Sequence, residues 1–138
     1  MTKKHKNKAI STFLASTLGS VGLHRFYLAG RSDQWGWLHL ISLPISLLLT
    51  KLFFNLPLLI TMSPLVLSFL AGLMEALVLG LKSDEKWDAI YNRESGQKSD
   101  STWPLALNLV LALGIGAMTL IAVLARSFDL LYTGGAYG

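Results

Sequence analysis

The sequence predicts an all-α, polytopic membrane helix bundle, and three observations carry that prediction. Of the 138 residues, 52% are apolar and 14% are charged, where soluble domains carry roughly 25% charge. The charges are confined to short breaks: positions 9–23, 34–50, 52–74 and 101–125 contain no Asp, Glu, Lys or Arg. Most of these runs match the roughly 20 apolar residues that a helix needs to cross the hydrocarbon core. Mean hydropathy is +0.50, and a soluble domain of this composition would leave a large apolar area in water. Those facts exclude an ordinary cytosolic enzyme, a disordered tail and a nucleic-acid module. The chain has no cysteine, which excludes disulfides, thiolate metal sites and a cysteine nucleophile.

Four spans follow from the run lengths. The first, 8–28, is short, so Lys6 and Lys8 are expected to snorkel at one end. Lys3, Lys4, Lys6 and Lys8 resemble the start of a signal peptide, but His24-Arg25-Phe26-Tyr27 stands where a small-residue cleavage site would be. A retained helix is the reading. The stretch 35–81 is 47 residues interrupted only by Lys51 and Glu75. One helix of that length would measure about 70 Å, so the chain must fold back. Lys51, Asn55 and Pro57 give the stronger turn signal and Thr61-Met62-Ser63-Pro64 the second. Spans of 35–53, kinked near Pro44, and 58–81 result. The last span, 103–125, opens with Trp103-Pro104, an interfacial aromatic and a first-turn proline. Ahead of it, Ser83 can cap a short interfacial helix at 84–94, with Asp84 and Glu85 in its first turn and Trp87, Ile90 and Tyr91 at helical spacing. The tail from Tyr132 reads as mobile.

Charge placement pulls the other way. Four spans put six Lys or Arg on each side, whereas three spans, with part of 35–81 re-entrant, give eight against three. Run length favours four spans, because unpaired backbone in lipid costs several kcal/mol per group; the positive-inside rule favours three. The N-terminal lysines argue for a cytoplasmic N-terminus in both.

Glu75 is the most informative residue. A central intramembrane acid costs about 2.5–3.5 kcal/mol on insertion scales, so it should face protein and find a partner. Gly72, Ala76 and Gly80 around it form a small-residue ridge that admits a second helix closely. Ala112 and Gly116 do the same on the last span. Arg25 is the natural partner for Glu75, as a fork-to-carboxylate pair, and four spans would bring the two to one side. A structural pair and an ion or proton site are the two readings of Glu75. His5, His24 and His39 share no metal-ligand spacing, and no nucleophile–base pair or phosphate-cradling loop is present. No catalytic residue, metal or cofactor is expected.

The first run resembles the two-transmembrane-helix (TM-two) domain family. Gly19, Gly22, His24, Arg25, Phe26, Tyr27, Leu28 and Gly30 match its motif, and Glu75 takes the place where that family commonly has Asp. Ala29 departs from the pattern, the interval from His24 to Glu75 is about one span longer than usual, and 103–125 is additional. The resemblance implies a small bacterial inner-membrane protein, with no catalytic activity established for the family. On this reading 1–100 is a TM-two-like domain with an inserted span, and 101–138 adds a helix and a flexible tail. The expected function is an accessory, assembly or scaffold partner of other membrane proteins, or of itself, in the lipid bilayer, with no nucleic-acid partner. The alternative is an oligomeric transporter or ion or proton conductor using Glu75.

Overall fold

The computed structural model describes residues 4–137, and every regular element among them is helical. The first apolar run is not one span. It forms α1 (Lys8–Leu18), a 3₁₀ turn (Gly19–Val21) and α2 (Leu23–Ala29). Between the turn and α2 stands Gly22, with φ at +74°, in the left-handed region that glycine enters without a Cβ clash. The chain reverses there. Its two ends meet again, where the Asn7 backbone N–H donates to the Tyr27 hydroxyl at 2.9 Å and Lys6 Nζ donates to the Tyr27 carbonyl at 2.6 Å. The expected continuous helix over 8–28 is therefore replaced by a hairpin whose arms are 11 and 7 residues long.

Among the described residues, three helices are long and apolar enough to cross a membrane: α3 (Gln34–Leu52), α5 (Ser63–Gly80) and α7 (Trp103–Thr133). Asp33 caps α3 by accepting from the Gly36 N–H at 2.8 Å, and Pro44 lies inside that helix. Both turn signals in the middle of the chain are used. The first ends α3 after Leu52, and the second separates a single turn, α4 (Leu58–Thr61), from α5, which starts on Ser63-Pro64.

α5 is the central helix, and its small residues set how closely the others approach. A Cβ added at Gly72 would lie 2.8 Å from the Gly19 backbone, and one at Gly80 would lie 2.6 Å from Leu109 Cδ2 and 3.1 Å from Thr12. Ala76, between them, is fully buried. These contacts run α1 and α7 antiparallel to α5 on its ridge side. Ala112 is buried and Gly116 faces Leu73, so the small residues of α7 also point inward. α3 lies on another side of α5, joined by hydroxyl groups: His39 bonds Ser68 and the Ser46 hydroxyl accepts from the Leu65 N–H at 3.0 Å, while Thr50 bonds Thr61 of α4 at 3.0 Å.

One end of this bundle is closed by α6 (Asp84–Tyr91). Ser83 caps it, as its sequence position suggests. Trp87, expected on an interfacial helix, is instead fully buried, and its indole N–H donates to the Lys6 carbonyl at 2.9 Å. Lys8 does not snorkel into water; it is buried, bonded to the Lys82 carbonyl at 2.8 Å and paired with Asp84. Asn92 completes the clasp, accepting from the Lys6 N–H at 2.6 Å. α7 continues beyond the expected limit at 125, over 31 residues, or about 46 Å. Its last turns carry the Arg126–Asp129 pair, and Gly134 ends it in the left-handed conformation. Helix thus covers the first part of the tail that had read as mobile.

Candidate functional site

The hairpin places α2 against the middle of the bundle, and there it meets Glu75. Arg25 Nε donates to Glu75 Oε1 at 2.9 Å, and Arg25 Nη2 donates to the same oxygen. The other carboxylate oxygen is bonded to His24 Nε2, with His39 Nε2 at 3.6 Å. The two imidazoles meet edge to face, with ring centroids 5.8 Å apart. Asp33 stands 3.8 Å from Arg25 Nη1. The site is therefore a carboxylate with a guanidinium on one oxygen and an imidazole on the other, with a second imidazole close by.

Sequence reasoning named Arg25 and Glu75, and the structure brings them together. The route differs from the expected one, since the hairpin carries Arg25 to α5 without a complete first span. It did not foresee the histidines. His24 and His39 were expected to stand apart, and instead both face Glu75. His39 had a signal that went unused: it opens a polar stripe with Ser42, Ser46 and Thr50 along an otherwise apolar α3. That stripe faces α5 and the hairpin tip, where the Ser20 carbonyl accepts from Ser68 at 2.7 Å. No signal tied His24 to Glu75, because the reversal at Gly22 had not been read.

His24 Nε2 faces the carboxylate, which only accepts, so Nε2 donates to it, and Nδ1 is buried with no hydrogen-bond partner among the described residues. His39 is held differently, with Nδ1 on Ser68 Oγ at 2.7 Å.

The remaining motif residues all have places on the hairpin. Gly19 packs on Gly72. A Cβ at Gly22 would strike the Gly36 carbonyl at 2.6 Å, in addition to the strain of its backbone angle. Phe26 covers Gly36 and meets Trp37 edge to face at 5.6 Å. Tyr27 ties α2 to Asn7, and Gly30 ends α2 with φ at +79°.

Two cavities flank the Arg25–Glu75 pair, and both residues line each. One, of about 200 Å³, opens toward Asp33, Lys82 and Tyr91. The other is a groove of about 590 Å³ between α3 and α5, walled by apolar side chains with His39, Ser42 and Ser68 behind them. Among the described residues, no group of three or more His, Asp or Glu is placed to hold a metal ion. No protein-family model matches the chain, and no curated protein and no solved structure matches it.

Proposed function

We propose that the chain is a non-enzymatic integral membrane protein of the cell inner membrane that serves as an accessory, assembly or scaffold partner of another membrane protein. One observation carries this reading. The charges inside the bundle are matched within the chain: Arg25 and Lys8 each have a carboxylate, and Glu75 has its guanidinium and imidazole. α7, by contrast, keeps only Leu105 and Ala112 buried over its whole length. The molecule offers a long apolar helix face rather than an unsatisfied reactive group, and membrane helices associate through such faces. In this reading the hairpin is re-entrant, and the N-terminus and the 82–100 loop share the cytoplasmic side. Nine of the described Lys and Arg then stand at that end, and only Lys51 and Arg126 at the other, an asymmetry that the positive-inside rule favours. The TM-two resemblance fits the same reading, since its motif residues all fall on the hairpin and its close contacts.

Site-specific photo-cross-linking in native membranes tests the proposal. Cross-linkers replacing Val110, Met118 or Ile121 on the outer face of α7 should give one discrete protein adduct, and a cross-linker replacing Leu48 on α3 should not. Lipid adducts alone at all of these positions would contradict it. The second reading, an oligomeric proton or ion conductor using Glu75, draws on the meeting of the two cavities at that residue. It requires flux through reconstituted protein that disappears in Glu75→Gln.

A further inference from the structure

The two cavities are parts of one crevice along a single face of α5. Pro64, Leu67, Ala71, Glu75 and Val78 line it, at spacings of three and four residues, which is one stripe of a helix, and Lys82 follows just past the helix end. The Arg25–Glu75 pair crosses it partway. On one side the crevice is small and polar; on the other it is large and apolar. From Pro64 to Glu75 the apolar part runs about 16 Å, close to half of the roughly 30 Å hydrocarbon core.

The polar part has unspent donors. Arg25 gives Nε and Nη2 to Glu75, but Nη1 makes no hydrogen bond to a described residue. Lys82, half-buried at the rim, has no ion-pair partner among the described residues, and it lines the small cavity beside Tyr91. Glu75 balances Arg25, and Asp33 is the one other carboxylate lining the site. With Arg25 and Lys82 against Glu75 and Asp33 the lining is formally neutral, and the phosphodiester of a zwitterionic headgroup matches it, because a guanidinium edge and an ammonium recognise phosphate oxygens directly. Trp35 stands at the mouth, exposed, with its ring 5.9 Å from Arg25 Cζ, as an aromatic at headgroup depth would.

We propose that this crevice is a specific phospholipid site, with the phosphodiester held by Arg25 and Lys82 and one acyl chain lying in the groove between α3 and α5. The proposal rests on α3 and α5 spanning a membrane, and it is independent of what α7 binds.

The test uses the full chain in lipid nanodiscs containing a trace of phospholipid with a photoactivatable group near the end of one acyl chain. Adducts are mapped by mass spectrometry. Labelling should concentrate on Leu38, Ile41 and Leu67 and exceed that of Val110 and Met118 several-fold. Excess unlabelled phospholipid should compete, and diacylglycerol, which lacks the phosphate, should not. Lys82→Gln, at the rim and outside the packed core, should lower groove labelling several-fold and leave α7 labelling unchanged. Ala71→Trp, which fills the groove, should abolish it. Equal labelling of groove and α7 that is insensitive to Lys82→Gln would overturn the proposal, as would equal competition by diacylglycerol or adducts to a polypeptide at the groove. Absence of lipid adducts on α7 as well would overturn both the site and the membrane reading beneath it.

Discussion

Glu75 concentrates the interactions that hold α2 in place, so its replacement is the most informative single change. Glu75→Ala leaves Arg25 inside the bundle without its carboxylate and removes the partner of His24 Nε2. Breaking a buried pair costs about 3–5 kcal/mol, and the partial exposure of Arg25 places this one toward the lower figure. Thermal unfolding in detergent should show that loss. The exchange Arg25→Glu with Glu75→Arg should be more stable than either single change; a double variant no better than the singles would mean the pair does not act as a unit. Glycine positions separate contact from composition. Gly72→Val drives a side chain into the Gly19 backbone and should lower stability by several kcal/mol, whereas Gly114→Ala, where a Cβ meets nothing within 4 Å, should change it by less than about 0.5 kcal/mol. Arg25 and Glu75 were legible in the sequence because a charge within an apolar run demands a partner. His24 was not, since its meeting with Glu75 depends on a chain reversal that leaves no mark in hydropathy, and His39 showed only through the polar stripe of α3.

The hairpin and α6 are the elements that distinguish this bundle from a plain set of spans. Hydropathy reads α1, the turn and α2 as one apolar stretch, because glycine and small residues interrupt neither charge count nor run length. The positive φ of Gly22 is the physical reason for the break, and glycine is a common enough residue in membrane helices to hide it. Ser83 and the acidic first turn made α6 visible, whereas the burial of Trp87 was not, because its indole N–H meets a backbone carbonyl more than 80 residues upstream. α6 is fastened by Asp84, whose carboxyl is held below its ordinary value by the Lys8 ammonium and the Ser101 hydroxyl. Asp88 is also held low: its hydrogen bonds from Ser99 and Asn92 outweigh the opposing effect of desolvation. A depressed carboxylate contributes stability fully above its ordinary value of 3.8, and the contribution is lost as pH falls through the lower value in the folded protein. Trp87 fluorescence, followed with the other three tryptophans replaced by Phe, should therefore stay constant from pH 7 to about 4. It should shift toward solvent exposure only below that. Asp84→Asn should abolish most of the acid transition.

At the scale of the whole molecule, α5 organises the fold by offering a ridge of small residues to α1 and α7 and hydroxyl-bonded contacts to α3. The all-helical class and the three long apolar helices were legible, because each holds a long run with at most one charge. The conflict between run length and charge counting was legible too, and the fold resolves it at an unexpected place: the first run turns back, while the middle run makes two helices. The central claim is thus that the N-terminus and α6 lie on one side of the membrane while the 53–57 turn and the end of α7 lie on the other. Single-cysteine accessibility in intact cells and in inverted vesicles tests it most directly, since the chain has no native cysteine. Cysteines replacing His5 and Ile90 should react with an impermeant reagent from the same side, and those replacing Asn55 and Tyr132 from the opposite one. Reaction of positions 5 and 90 from opposite sides would contradict the account, because it requires an odd number of crossings between them, whereas α3 and α5 with a re-entrant hairpin give two.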